Sequence, residues 1–186
     1  MHSEIPRWRR LYLSNSGIDA TAMTAFSEAV AEGALDTVED LFLQANREIG
    51  DAGMKAFASA CGRGALKSLE RLWLHSNKIH DAGVIAFAKA VEIGALAQLT
   101  KLCLLNNKIG DPGCTALAEA VGRGALPALE ELQLDHNQIG DAGVTALAEA
   151  MGSGALPSLK KLFIDSPSAE LKAHCSSKNI GLALWR

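Results

Sequence analysis

The stretch Leu69-Glu-Arg-Leu-Trp-Leu-His-Ser-Asn-Lys-Ile79 decides the fold of this chain. Apolar and polar residues alternate around Leu72, which is the period-two pattern of a short strand. The residues that follow, 81–91, carry apolar side chains at the spacing of a helix with one buried face. The segment therefore predicts one strand followed by one helix.

The same unit recurs along the chain with a period of about 30 residues. The tripeptide Gly-Ala-Leu recurs at 30- or 31-residue steps, and so does the leucine at the centre of each strand. Six such units take up nearly all of the 186 residues, which predicts a single domain over residues 1–186. The central leucines of the six units are Leu11, Leu41, Leu72, Leu102, Leu132 and Leu162.

Local signals mark where each helix begins and ends. An aspartate precedes each of four helical patterns, where a helix N-cap is expected to accept backbone N–H groups. A glycine follows each helical pattern, where a left-handed residue is favoured. The aspartates are Asp51, Asp81, Asp111 and Asp141, and the glycines are Gly64, Gly94, Gly124 and Gly154.

The pattern LxxLxLxxNxI followed by a helix resembles the leucine-rich repeat family, and the period near 30 resembles its ribonuclease-inhibitor-like subgroup. The resemblance implies an α/β fold, a curved right-handed solenoid with parallel strands on the concave face and helices on the convex face. It also implies a buried ladder of turn asparagines. Those residues are Asn46, Asn77, Asn107 and Asn137, with Ser16 and Pro167 departing from the pattern in the terminal units.

The two ends of the chain are expected to differ from the interior. Residues 168–186 predict a capping helix and a closing extended segment, from Ile180 to Trp185. At the N-terminus two interpretations stay open. Either Trp8 folds over the open edge of the first unit, or the chain is one piece of a longer protein.

Composition and motifs exclude several classes of function. With 18 Lys and Arg against 21 Asp and Glu, the net charge is −3, and the basic surplus expected of a nucleic-acid or anionic-membrane binder is absent. No apolar run is long enough to span a bilayer, and the first residues do not form a secretory signal, so we expect a cytoplasmic protein. The common catalytic and phosphate-binding motifs are also absent, and we expect neither enzymatic activity nor a cofactor.

The remaining reactive residues predict no metal site. The four cysteines show no paired spacing, and we expect reduced thiols that bind no metal. His75 and His136 lie two units apart, too far to share an ion. Asp135 and Asp165 occupy the same strand-end position in neighbouring units and could hold a cation, but a solvent-exposed rim is the favoured interpretation.

The outward positions of the strands predict the binding site. If Leu72 and Leu74 point inward, the residue between them points out, and through the six units this column reads Tyr12, Phe42, Trp73, Cys103, Gln133 and Phe163. An apolar centre with a charged rim is typical of a protein-binding patch, although strand propensity alone would also favour aromatic residues here. The predicted partner-binding residues are Tyr12, Phe42, Trp73, Cys103, Phe163, Arg10, Arg71, Lys101, His75 and Leu105. A weaker candidate is the line Ile85, Lys89 and Ile93 along one helix.

The sequence therefore predicts a non-catalytic scaffold that binds a protein partner on its concave face. We expect it to bind neither nucleic acid nor membrane, and to be a monomer rather than a homodimer. One alternative is a regulator of a small GTPase, because Ran GTPase-activating proteins resemble this repeat subgroup, although the chain lacks their long acidic tail. Another is the recognition portion of a larger sensor or effector protein.

Overall fold

The computed structural model describes residues 9–33 and 35–183, and strands alternate with helices throughout this part of the chain. The strands are β1 (Arg10–Tyr12), β2 (Asp40–Phe42), β3 (Arg71–Trp73), β4 (Lys101–Cys103), β5 (Glu131–Gln133), β6 (Lys161–Phe163) and β7 (Gly181–Ala183). The helices are α1 (Ala20–Ala31), α2 (Gly50–Gly62), α3 (Asp81–Glu92), α4 (Asp111–Gly122), α5 (Asp141–Gly152) and α6 (Ala169–Ser177).

The strands form one parallel sheet in chain order, β1 to β7. The central leucines align directly from strand to strand, so each repeat has the same register as its neighbours. Parallel strands lie about 4.8 Å apart, whereas packed helices need about 8–10 Å, so the sheet lines the shorter, concave side. The expected α/β solenoid is confirmed.

The terminal segments are described only in part. Residues 168–183 contain α6 and β7, and β7 pairs with β6 so that Leu182 aligns with Leu162. The predicted contacts of Trp8 at one end and Trp185 at the other lie outside the described residues. None of the helices in the described ranges is long and apolar enough to cross a bilayer.

The core lies between the sheet and the helices and runs without interruption along the solenoid. Leu72 on β3 and Leu74 just after it are fully buried on the inner side of the sheet, in one apolar cluster with helix residues such as Phe57 and Phe87. One repeat has no second apolar layer of its own, so each buries its core against the repeats on either side.

The Gly-Ala-Leu turns end the helices as expected. Gly94 has φ +93°, and the corresponding glycines have φ between +83° and +95°. The leucine two residues later is also left-handed: Leu96 has φ 55° and is 4% exposed. A left-handed leucine costs roughly 1–2 kcal/mol, which the roughly 1.5–3 kcal/mol gained by burying its side chain offsets.

The expected asparagine ladder is present in the turns after the strands. Asn107 Nδ2 donates to the carbonyls of Leu74 and Leu104, both at 3.0 Å. Its Oδ1 accepts from the backbone N–H groups of Asn77 at 3.0 Å and Ile79 at 3.1 Å. One side chain thus satisfies four backbone groups in two repeats, which would otherwise be buried without partners.

The prediction that each aspartate caps its own helix is wrong for the interior repeats. Asp81 is the first residue of α3, and its Oδ1 accepts from the N–H groups of Gly110 at 2.7 Å and Gly113 at 3.0 Å in the next repeat. The helix starts of neighbouring repeats are close enough for the short carboxylate to reach across. Asp51 and Asp111 make the same contacts to their following repeats.

The two terminal helices cap themselves instead. Asp19 accepts from the N–H of Ala22 at 2.8 Å to begin α1, and Ser168 accepts from the N–H of Leu171 at 3.1 Å to begin α6. An aspartate or serine one residue before the helix is an ordinary N-cap. The interior repeats have exchanged this local contact for one between repeats.

Candidate functional site

The outward column of the strands begins with three stacked aromatic rings, which we call the aromatic strip: Tyr12, Phe42 and Trp73. The Tyr12 and Phe42 ring centroids lie 4.4 Å apart with the planes at 9°, and those of Phe42 and Trp73 lie 4.1 Å apart at 12°. The column runs across the strands, so the rings stack along the sheet and present their edges outward. Tyr12 is 63% exposed.

One buried carboxylate holds the charged residues beside the aromatic strip. Asp40 is 2% exposed and forms ion pairs with two guanidinium groups: Arg10 on one side, 3.0 Å from Nε to Oδ2, and Arg71 on the other. Arg71 binds it with two nitrogens, Nη2 at 2.7 Å from Oδ2. This hydrogen bonding raises the pKa of Arg71 above its already high ordinary value.

A polar network occupies the next two strands. Lys101 Nζ lies 5.8 Å from the centroid of the Trp73 ring and 2.8 Å from Glu131 Oε1. Gln133 Nε2 donates to Glu131 Oε1 at 2.6 Å. Burial alone would raise the pKa of Glu131, but its hydrogen bond and charge interaction with Lys101 prevail and lower it.

Cys103 belongs to this network and is buried, whereas the sequence places it on the exposed outward column; its role as a partner contact stays a prediction. Its Sγ donates to Gln133 Oε1 at 2.8 Å and lies 3.5 Å from His75 Nδ1, and the residue is 1% exposed. Side chains of the neighbouring strands cover the small thiol from both sides. Burial raises the pKa of Cys103 to about 11, so it is a protonated, unreactive thiol at neutral pH.

The strand-end positions differ along the sheet. His75 and Leu105 are half-buried, and burial together with the charge of Lys101 lowers the pKa of His75. Asp135, which the sequence predicts to be solvent-exposed, is 1% exposed, and its Oδ2 has no hydrogen-bond partner. Burial and then the like charge of Asp165 raise the pKa of Asp135.

The positions of the other predicted site residues follow the expected face. Phe163 on β6 is half-buried and is separated from the aromatic strip by β4 and β5, so it does not join the stack. Arg10, Arg71 and Lys101 line the strand starts beside the strip. The structure thus brings together Tyr12, Phe42, Trp73, Arg10, Arg71 and Lys101.

A groove that sequence reasoning missed lies beside Trp73 at the strand starts. Its volume is about 460 Å³, and it is lined by Arg71, Trp73, Thr100, Lys101, Glu130, Glu131, Lys160 and Lys161. Thr100, Glu130 and Lys160 precede their strands by one residue. Comparing the residue before each strand from one repeat to the next could have identified these groove residues from the sequence.

The weaker candidate on the helices is less continuous than expected. Ile93 is 73% exposed and Lys89 is exposed, but Ile85 is half-buried, so the three do not form one exposed line. Ile93 Cδ1 lies 3.7 Å from the Cβ position at Gly62 in the preceding repeat. A single exposed isoleucine is ordinary on a soluble surface.

The cysteines and acidic residues assemble no metal site within the described ranges. No group of three or more His, Cys, Asp or Glu there could hold an ion. All four cysteines are free and buried. Burial raises the pKa of Cys61 and of Cys114 to about 12 and also raises that of Cys175.

Comparison with known proteins agrees with the architecture. A family model described as Leucine Rich repeat matches residues 65–88, 98–118 and 126–148. No curated protein matches the sequence. Among solved structures, leiomodin-1 actin-binding site 2 is similar with a TM-score of 0.57 and 16% identity, over 92% of this chain and 78% of that one.

At that identity the structural likeness bears on the fold alone. Together with the matched repeats, it confirms the fold class as an α/β leucine-rich repeat solenoid. The ribonuclease-inhibitor-like subgroup stays a prediction.

Proposed function

We propose that the chain is a non-catalytic scaffold that binds a protein partner on its concave face through the aromatic strip. The observation that carries the proposal is the stack of Tyr12, Phe42 and Trp73 on the solvent side of the sheet. These rings lie outside the core between the sheet and the helices. Aromatic residues held at a surface are the commonest anchors of protein interfaces.

The geometry of the strip suits binding. Each ring is held by the next at about 4 Å, so a partner would order few side chains on docking and would lose little affinity to entropy. The Asp40 ion pairs likewise fix the two arginines beside the strip before any partner arrives. An apolar centre with an ordered charged border is the usual composition of such a patch.

The structural comparison supports a protein partner in general terms. The similar leiomodin-1 domain is named as an actin-binding site, so one protein with this fold is named for binding another protein. Actin is therefore a reasonable first purified probe, with co-sedimentation as the assay. The remaining expectations, a monomeric cytoplasmic protein that binds neither nucleic acid nor membrane, are part of the proposal.

A matched pair of variants tests the proposal. Trp73→Ala removes the ring of the strip that lies nearest the middle of the sheet, on β3, and Ile93→Ala removes an exposed apolar side chain from the helix face. We expect Trp73→Ala to weaken partner capture from a lysate by about 30-fold or more, as truncation of a central aromatic residue commonly does. Ile93→Ala should bind like the wild type, with circular dichroism confirming that both variants are folded.

Two outcomes would count against this function. Equal capture by Trp73→Ala and wild type would mean that the strip reflects strand propensity, and loss of capture by Ile93→Ala alone would move the site to the helices.

The GTPase-regulator alternative stays a prediction, tested by single-turnover GTP hydrolysis with and without the chain. The larger-protein alternative also stays a prediction, tested by whether the coding frame continues upstream of Met1.

A further inference from the structure

We infer that the groove beside Trp73 receives acidic side chains from an extended segment of the protein partner. The inference rests on the proposed function, because it adds a second contact point to the aromatic strip. It assigns the partner a chemistry: an apolar anchor on the strip followed by carboxylates at the strand starts of β3 to β6.

The charges that line the groove do not balance. Four basic residues face two acidic ones, and each acid already has a partner. Lys101 pairs with Glu131 at 2.8 Å, and Lys160 pairs with Glu130 at 2.7 Å. Lys161 is exposed and makes no direct ion pair with any described residue, although its charge acts on Glu131 and helps to lower the pKa of that carboxyl. Its ammonium group can therefore still bind a ligand carboxylate directly.

Arg71 adds to the surplus because its own counter-ion is shared. Asp40 is a single carboxylate between Arg71 and Arg10, so this group of three residues keeps one net positive charge. The side chain of Arg71 is 40% exposed and borders the groove. The residues that line the groove therefore carry a net charge of +2, four basic against two acidic, with Arg71 and Lys161 at its two ends. The carboxylates of Glu70 and Glu39, outside the lining, also act on Arg71.

The charges at the ends of the strands, on the same concave face, favour the same orientation of an acidic segment. The strand ends of β5 and β6 are followed by Asp135 and Asp165, so an acidic segment would be repelled there. Positive strand starts and acidic strand ends give the concave face a polarity across the strands. Such complementarity steers a charged partner and suppresses wrong orientations.

Peptide binding tests the inference directly. The probes are two fluorescein-labelled peptides, both beginning with two tryptophans, one continuing with six glutamates and the other with six glutamines. At low ionic strength we expect the glutamate peptide to bind the wild type at least tenfold more tightly by fluorescence anisotropy. Raising the salt should reduce the difference, since exposed charges are screened.

Two charge reversals localise the effect. Lys161→Glu should cut glutamate-peptide affinity by about tenfold and leave the glutamine peptide unchanged. Lys55→Glu makes the same charge change at an exposed position on α2, on the helix side, and should alter affinity less than twofold. Equal losses in the two variants would mean that net charge alone is sensed and would overturn the inference.

Other outcomes separate this inference from the proposed function. If the two peptides bind equally and Trp73→Ala weakens both, the aromatic anchor stands and the acidic specificity is wrong. Failure of the glutamate peptide to bind overturns the inference, while the scaffold proposal is judged on partner capture. Binding of oligothymidylate in preference to the glutamate peptide, with the same dependence on Lys161, would overturn it in favour of a nucleic-acid site.

Discussion

The turns after the strands carry the same residue in successive repeats, whereas the outer face of the sheet carries different residues. In the turns, Asn46, Asn77 and Asn107 occupy the same position and satisfy the same kinds of backbone groups. On the outer face, one position holds a ring in β3, a buried thiol in β4 and an amide in β5. The fold requires an asparagine at the turn position, so that position is uniform. The fold requires no particular residue at the outer position, so that position varies.

The contrast has an energetic meaning. Replacing a repeated turn residue leaves buried backbone groups without partners, a cost that falls on two repeats at once. Replacing an outward residue removes contacts that are partly solvent-exposed. Stability should therefore be concentrated in the repeated positions, and binding in the variable ones.

The largest effect is expected at the asparagine ladder. Asn107→Ala should lower the free energy of unfolding by roughly 3 kcal/mol, because the side chain satisfies four backbone groups and each buried unsatisfied group costs about 1–3 kcal/mol. Urea denaturation gives the value. Asn106→Ala is the matched control: Asn106 is exposed, and Ala45 occupies the equivalent left-handed position in the second repeat. Equal midpoints for the two variants would contradict the ladder.

A smaller loss is expected where repeats approach closely. A Cβ at Gly113 would lie 2.7 Å from Asp81 Oδ1 and 3.0 Å from Ile109 Cγ2. Gly113→Ala should therefore cost about 2 kcal/mol from overpacking and a displaced cap.

Gly122→Ala is the control for this prediction within the same helix. The nearest atom to its Cβ is 3.7 Å away, and the substitution should stabilise α4 by roughly 0.5–1 kcal/mol. Thermal unfolding of both variants tests the opposite signs. Two stabilised variants would mean that the aspartate contact contributes nothing.

On the variable side, Trp73→Ala should cost only about 1 kcal/mol of folding stability. The lost contacts are the stack on Phe42 and the approach of Lys101 to the ring. Leu72→Ala, one residue earlier and fully buried, should cost about 2–5 kcal/mol in the same denaturation experiment. A Trp73 variant as unstable as the Leu72 variant would place the ring in the core.

The smallest expected effect on stability comes from replacing Asp135, and this replacement should raise the free energy of unfolding. Because the pKa of Asp135 is raised in the folded protein, the folded state binds this proton more tightly than the unfolded chain. The group therefore lowers stability at neutral pH, and the penalty is relieved as the pH falls through the raised folded value. Asp135→Asn should stabilise at pH 7 by less than about 1 kcal/mol and flatten the pH dependence of unfolding.

Asp165→Asn is the comparison for this last variant. Asp165 already accepts a hydrogen bond from the backbone of His136 through Oδ2, so its removal should not stabilise the fold directly. A pH profile of Asp135→Asn identical to that of the wild type would show that Asp135 is charged at no cost.

The sequence was sufficient for the parts of the molecule that repeat. Strand register follows from alternation around Leu72, and the buried position of Asn107 follows from the pattern that resembles leucine-rich repeats. Each depends on a period, and a period is visible in a single sequence. The stacked order of the aromatic strip also followed, because consecutive repeats place the same column on adjacent strands.

Contacts between repeats were the part that a single unit could not predict. The sequence places Asp81 where a local helix cap is expected, but its carboxylate binds the start of the neighbouring helix. Cys103 and Asp135 occupy outward positions, but both are 1% exposed. For Cys103, the longer side chains of His75 and Gln133 in the two neighbouring repeats lie against its sulfur. The strand sets the direction in which a side chain points, whereas the side chains of the neighbouring repeats set how exposed it is.

The aspartates that cap the following helix also bear on how such a chain can grow or shorten. Because Asp51, Asp81 and Asp111 each bind the helix start one period ahead, duplicating a whole 30-residue interior unit would leave each of these carboxylates facing the start of another helix. An insertion of any other length within a unit would separate a carboxylate from its N–H groups. Duplication of whole interior units would therefore preserve these contacts, whereas α1 and α6 begin with caps of their own, Asp19 and Ser168.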